Sequence, residues 1–401
     1  MKGSPQLMGQ NQSKSINLRI GVHTLYNVIL PVVIAAAISY AMTPLVIKLA
    51  HSIGAIDVPK DNRRVHSTPI PRLGGIAIYV AFMITYLSLN SLSGIREVGL
   101  VLGSLVIVAA GIVDDLKPIS AKVKLAAQIL AAAILYYSGI RIDFLTNYIR
   151  PSEMVDLGFM SLPMTIFWIV GITNTVNLID GLDGLAAGIS TIAAASLAYV
   201  ALINGRTETA LVMLAIVGAC AGFLPYNFNP AKIFMGDTGS LFLGFILAAT
   251  AIDGSIKGAT FIVFAAPILA LGVPIFDTTF AILRRMVNRK PIMEADKGHL
   301  HHRFLSLGFD QKTAVAMMYL ISMLFGVSAI LLIQGNFVIM SVTIFSAAML
   351  ILVPINKTTD RLRDEEDEKG SEVEKESEVG KDNTGNDIAQ ISKENHEEDL
   401  K

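Results

Sequence analysis

Apolar runs of about 18 to 22 residues recur along this chain, the length that crosses the hydrocarbon core of a bilayer as a helix. Between them stand five polar clusters: Lys60 to Arg72, the pair Asp114-Asp115, Asn174 to Asp183, Asn227 to Asp237, and Arg284 to Arg303. Each cluster lies an even number of spans from the next, so all five emerge on one side of the membrane. Inside lipid the backbone must satisfy its own hydrogen bonds, which leaves a helical bundle rather than an open sheet. The expected fold is an all-α integral membrane protein, a polytopic bundle of about eleven transmembrane helices with catalytic loops on the cytoplasmic side. The spans centre at roughly 37, 82, 105, 130, 169, 193, 216, 246, 271, 322 and 345. A hydrophobic content of 53%, with only 16% charged residues, agrees with this reading.

Lysine and arginine set the orientation. The connections that carry the clusters hold about 16 basic residues against about 5 on the other side, and the positive-inside rule makes the cluster face cytoplasmic. An odd span count then puts the N-terminus outside, although Lys2, Lys14 and Arg19 pull mildly the other way. Three regions are expected: a polar segment over 1–24 without a cleavable signal, a membrane domain over 25–355, and an acidic tail over 356–401. The tail opens on Asp364 to Glu368, contains no aromatic residue and reads as disordered. Setting it aside leaves the membrane part at roughly +7, so the overall charge of −1 hides a basic body. Cys220 stands alone, which excludes a disulfide within the chain. Nothing points to nucleic-acid binding.

Adjacent carboxylates at Asp114 and Asp115, where an apolar run ends, repel unless a cation or a proton relieves them, and neighbours on a helix diverge by about 100°. They are therefore expected to do different jobs; a plain acidic helix end is the alternative. Asn174, Asn177, Asp180 and Asp183 fall every third residue, a spacing that no single face of a straight helix accommodates. Gly181 and Gly184 would let the helix break and fold these groups into a pocket; otherwise they form a polar seam between helices. In Asn227 to Ser240, the carboxylate of Asp237 with Thr238 and Ser240 at a helix start suits a hard cation and phosphate, or else a simple N-cap. His299, His301, His302 and Arg303 suit anion recognition better than zinc, because no cysteine or fourth protein ligand accompanies them. Acidic lipid headgroups would account for the arginines but not the histidines. Such a face handles a nucleotide diphosphate beside the lipid. An ion-coupled transporter is the competing class, but its coupling acids would sit near mid-bilayer rather than at span ends.

On Pro69-Ile-Pro-Arg72-Leu-Gly-Gly, Asp114-Asp115, Asn174 to Leu185, Asn227 to Ser240 and His299 to Arg303, in that order, the chain resembles the polyprenyl-phosphate N-acetylhexosamine-1-phosphate transferases from about Pro44 to Val353. The Pro-Ile-Pro-Arg-Leu-Gly-Gly and His-Leu-His-His-Arg forms are similar to the bacterial branch that takes UDP-N-acetylglucosamine and undecaprenyl phosphate; the sister branch transfers phospho-N-acetylmuramoyl-pentapeptide. The resemblance implies magnesium, or manganese in its place, on Asp237. It implies Asp114 as the base that deprotonates or orients the lipid phosphate, with Asp115 beside it and His301 in the catalytic set. It places Asn177, Asp180, Asp183, Asn227 and Phe234 in the nucleotide pocket, with Phe234 stacking on uracil. His299, His302 and Arg303 then grip the sugar diphosphate, and Arg72 and Asn174 join the substrate-binding set. A homodimer is also implied. The chain departs from some members in carrying Lys117 and Pro118, rather than a further acid, after the aspartate pair, and in its acidic tail.

Overall fold

The structure is a computed structural model and describes residues 5–58, 69–89, 94–146, 154–255, 261–289 and 298–355. The expected acidic tail lies outside the described residues, as do Lys60 to Thr68 of the first cluster and Lys290 to Lys297 of the last.

The chain folds as the apolar runs dictate. Its helices are α1 (Pro5–Ile53), α2 (Gly75–Leu89), α3 (Ile95–Leu116), α4 (Ala121–Tyr137), α5 (Ser161–Leu178), α6 (Leu185–Ile203) and α7 (Thr207–Asn227), then α8 (Gly236–Ser255), α9 (Phe261–Ala270), α10 (Gly272–Val287), α11 (Leu300–Ser306) and α12 (Gln311–Ile333), with α13 (Phe337–Ile355) last. Among the described residues, seven are long and apolar enough to cross a membrane: Val28–Ile53 of α1, together with α3, α5, α6, α7, α12 and α13. Three more expected centres fall in α2, α4 and α8. The run centred near 271 departs from expectation, because it breaks at Leu271 into α9 and α10. Pro274 has no N–H to give the carbonyl one turn back, so a single ladder cannot run through.

Around α8, which is buried along Leu241 to Ile252, pack α2, α3 and α5. On the other flank α7 lies against α1 and α6, and α12 against α6 and α9. Small residues let backbones approach. A Cβ at Gly218 would collide with the Val32 carbonyl oxygen, and one at Gly222 with that of Ala36, so α1 and α7 need glycine where they cross. Buried hydroxyls return to their own helices: Thr43 donates to Ser39 O, Thr85 to Ala81 O and Thr173 to Ile169 O, each within 2.8 Å. That pattern suits a site with no water to offer.

Two small antiparallel pairs join the helices, β1 (Ile56–Asp57) with β2 (Ile70–Pro71) and β3 (Phe144–Thr146) with β4 (Met154–Asp156). The second lies in the connection between α4 and α5. The first is extended by the 233–235 stretch: Phe234 N donates to Pro71 O at 2.8 Å and Gly74 N to Phe234 O at 2.9 Å. Two of the five clusters are thereby stitched together through backbone.

Candidate active site

The C-terminal end of α3 and the N-terminal end of α8 meet closely. A Cβ at Gly111 would lie 2.5 Å from Thr238 Cα, so glycine there sets the separation. Asp114 and Asp115 then diverge as helix geometry requires. Asp114 Oδ1 accepts from Ile119 N at 2.9 Å, and its Oδ2 accepts from Lys124 Nζ at 2.9 Å. Lys124 reaches across from α4 and also donates to Asp237 Oδ2 at 2.6 Å, so one ammonium bridges two carboxylates. Asp115 turns instead to the start of α8. Its Oδ1 accepts from Asp237 N at 2.9 Å and Arg72 Nη2 at 3.2 Å, and its Oδ2 from Thr238 N at 3.0 Å and Thr238 Oγ1 at 2.7 Å. Those amides belong to a first helical turn and have no partner within their own helix, so Asp115 acts as an N-cap supplied by another helix.

At the end of α5 the helix stops at Leu178, a turn follows, and α6 begins at Leu185 after Gly184 in the left-handed region at φ 77°. The break expected from the glycines is present. Asn177 Nδ2 donates to Ser240 Oγ at 2.8 Å. Asp183 Oδ2 accepts from Asn229 Nδ2 and Ala231 N, both at 3.0 Å, while Asn227 ties Gly184 N to the Ile233 carbonyl. These bonds hold the third and fourth clusters as one unit. Asn174 sits deeper, in a reciprocal amide pair with Gln128 of α4 at 2.7 and 3.2 Å, and does not line the cavity described below.

The histidines lie at α11. His299 Nδ1 donates to Asp277 Oδ2 at 2.9 Å, and Leu300 N to Asp277 Oδ1 at 2.7 Å. His301 is buried with its ring 4.3 Å from that of His302, and its Nε2 lies 2.5 Å from where a Cβ on Gly181 would stand. Burial, followed by the charge of His302, lowers His301 to about 3, so this imidazole is neutral at any ordinary pH. Arg303 points elsewhere than expected: its guanidinium donates to Gly298 O and Ile355 O and stands over Phe280, closing the end of α13 rather than lining the cavity.

All five clusters converge here. A cavity of about 410 Å³ is lined by Arg72, Asn177, Asp180, Asp183, Asn227, Phe234, Asp237 and His302; Asp115 accepts directly from the Asp237 amide at its edge, and Asp114 is joined to the Asp237 carboxylate through Lys124. Asp57 and Gln311 also line it, and with Lys124 and Asp277 they make up the residues that sequence reasoning passed over. Lys124 was visible only as one more positive-inside charge; Asp277, an acid within an apolar helix, gave a signal that could have been followed. Burial, then the charges of Asp237 and Asp115, push the Asp180 carboxyl up to about 7. A larger cavity of about 540 Å³ opens at the opposite ends of α3 and α8, around Arg96, Glu97, Arg206 and Asp253. Among its described residues the aspartate, amide and histidine clusters have no part.

Residues 98–255 match the family described as glycosyl transferase family 4. The chain is 42% identical over 314 residues to a probable undecaprenyl-phosphate N-acetylglucosaminyl 1-phosphate transferase of Bacillus subtilis (strain 168), covering 78% of this chain and 85% of that protein. It is 36% identical over 316 residues to a decaprenyl-phosphate N-acetylglucosaminephosphotransferase of Mycobacterium leprae, 71% of this chain and 79% of that one. A phospho-N-acetylmuramoyl-pentapeptide-transferase of Shouchella clausii is 34% identical over 319 residues, 74% and 95% of the two chains. With relatives of this identity covering most of their own lengths, the chain belongs to glycosyl transferase family 4, as a multi-pass membrane protein of the polyprenyl-phosphate N-acetylhexosamine-1-phosphate transferase kind.

Proposed function

We propose that this protein transfers N-acetylglucosamine 1-phosphate from UDP-N-acetylglucosamine to undecaprenyl phosphate on the cytoplasmic side of the membrane, giving undecaprenyl-diphospho-N-acetylglucosamine and UMP. The product would start a cell-envelope polymer of teichoic-acid or O-antigen type. The observation that carries this reading is the convergence of Arg72, Asn177, Asp180, Phe234, Asp237 and His302 on one cavity at the helix ends. The 42% and 36% identities to two N-acetylglucosamine-phosphate transferases, against 34% to a pentapeptide transferase, support the choice of sugar.

The donor set fits magnesium. Among the described residues no three His, Cys, Asp or Glu side chains form a metal cage. Magnesium asks for less, one or two carboxylates with water and phosphate oxygens completing its octahedron. Asp237 would hold it beside Asp180, which lines the same cavity. When bound it screens two anionic reactants and stabilises the leaving phosphate.

The protein's own task is alignment. A lipid phosphate oxygen attacks the β-phosphorus, the bond from that phosphorus to the bridging oxygen breaks, and its electron pair leaves with UMP. Asp114, held by Lys124, orients the lipid phosphate at the membrane edge. Phe234 offers a face to uracil, Asn177 offers an amide, Asn227 holds the Gly184 turn to the stretch that carries Phe234, and His302 and Arg72 offer charge-assisted donors to the diphosphate. The test is a donor panel on purified protein in lipid nanodiscs, with UMP release followed at graded magnesium. UDP-N-acetylglucosamine with undecaprenyl phosphate should turn over only with the metal, and Asp237→Asn should blunt that dependence most. Turnover of UDP-N-acetylmuramoyl-pentapeptide instead, or none of either, would sink the assignment.

A further inference from the structure

Asp277 stands outside the cavity and in none of the five clusters, yet among the described residues it is one of few buried carboxylates, set within α10 with 5% of its surface exposed. Both of its oxygens are committed to one place. Oδ1 takes the amide of Leu300, the first residue of α11, and Oδ2 takes Nδ1 of His299 just before it. The first bond satisfies an amide that has no partner in its own helix. The second fixes the ring: Nδ1 must carry a proton, so Nε2 is the nitrogen that faces away from α10.

From that anchor the rings form a continuous series. His299 stacks on His301 with centroids 5.8 Å apart and planes within 6°, and His301 meets His302 at 4.3 Å. His302 lines the cavity, and His301 abuts Gly181 in the turn that carries Asp180 and Asp183. In addition, α10 packs against α5, the helix that delivers that turn. A displacement of Asp277 therefore reaches the cavity wall by two routes, through the rings and through α5.

We infer that Asp277 is a positioning residue for this site: its buried carboxylate sets the His299 tautomer and seats α11 so that His302 faces the bound sugar nucleotide. The inference rests on the transferase reading and adds a residue to it. A carboxylate behind an imidazole fixes ring orientation, and where the imidazole ligates a metal the loss of such a partner costs about tenfold to a hundredfold, which sets the scale here.

The experiment uses the full chain in nanodiscs, with Asp277→Asn, His299→Ala and the double variant. Asparagine keeps the size and, through its carbonyl oxygen, the bond to Leu300 N, but it turns N–H toward His299 Nδ1 and forces the other tautomer. The expected result is an unchanged melting temperature, kcat/KM for the UDP-sugar lower by about tenfold to a hundredfold, and an unchanged KM for the lipid phosphate. In the His299→Ala background the same change should cost nothing further, because the ring through which it acts is gone. An equal loss in both backgrounds, wild-type kinetics in Asp277→Asn, or an Asp277→Asn chain that does not fold would each overturn the inference, the last by making the carboxylate a structural clamp. UMP release by the unmodified protein separates this from the larger question, since its absence would take the transferase reading down as well.

Discussion

Replacing Asp115 by asparagine changes no volume and leaves the backbone alone, but it converts one acceptor oxygen into a donor in a place where everything nearby donates. The aspartate is wholly shielded and accepts from two amides of the first turn of α8, from the Thr238 hydroxyl and from Arg72. If the asparagine carbonyl takes the Oδ2 position, it keeps Thr238 N and Oγ1 and faces Asp237 N and Arg72 with an NH2 group. If it takes the Oδ1 position, it keeps Asp237 N and abandons Thr238 N. Either rotamer strands one buried amide, at about 1 to 3 kcal/mol. Loss of the negative charge at a helix N-terminus adds about 0.3 to 1 kcal/mol, so a total of about 1.3 to 4 kcal/mol is expected. The same amides position Asp237, so Asp115→Asn should also raise the magnesium concentration needed for half-maximal UMP release. Thermal unfolding in nanodiscs, read beside Asp237→Asn, separates the effects, because the Asp237 carboxylate bonds Lys124 and caps nothing. Should Asp115→Asn melt like the unmodified protein and lose only turnover, Asp115 would be a chemical group and its assignment as a cap would be wrong.

Two further expectations concern the histidine helix. Gly181→Ala places a methyl carbon where His301 Nε2 already stands, and with His301 only 2% exposed the ring has little room to yield; overpacking of about 1 to 3 kcal/mol should lower the melting temperature and slow UMP release together, and a fully active variant would show the contact to be soft. His301 itself should leave a pH signature. Its folded value of about 3, set first by burial and then by the His302 charge, lies below the ordinary 6.5, so the unfolded chain takes up a proton first on acidification. The stability it contributes is whole above about pH 6.5 and shrinks as the pH falls toward about 3, by up to about 1.4 kcal/mol per pH unit. His301→Gln should flatten the fall in melting temperature between pH 6.5 and 5, and an unaltered slope would show that this ring is not the group responsible.

The long elements were legible because membrane spans write themselves as uninterrupted apolar runs, and parity alone placed Arg72, Asp114, Asn177, Asp237 and His302 at one end of the bundle. The break at Leu271 was not read, although Pro267 and Pro274 flank it, because composition over a window hides where a backbone ladder fails. Side-chain partners were harder. Gln128 bonds Asn174, and the Ile355 and Gly298 carbonyls accept from Arg303, so neither residue lines the cavity.

The aspartates show why pattern runs out at this point. Asp115, Asp183 and Asp277 each accept from a backbone amide on a distant segment, at Thr238, Ala231 and Leu300, and so lock one element against another. Asp180 and Asp237 turn their carboxylates to the cavity, and Asp183 does both. In the sequence four of them stand at or near helix ends and Asp277 within α10, and none carries a local mark that tells locking from lining. What separates them is whether an unpaired amide lies within about 3 Å, a property of the assembled bundle. The locking acids hold the cavity acids in register: Asp115 sets the start of α8, from which Asp237 projects, and Asp183 secures the stretch that leads to Phe234. An acid-to-amide substitution at Asp115 should therefore lower stability and activity together, whereas Asp277→Asn, whose carbonyl keeps the Leu300 amide, and the same change at Asp180 or Asp237 should leave melting intact.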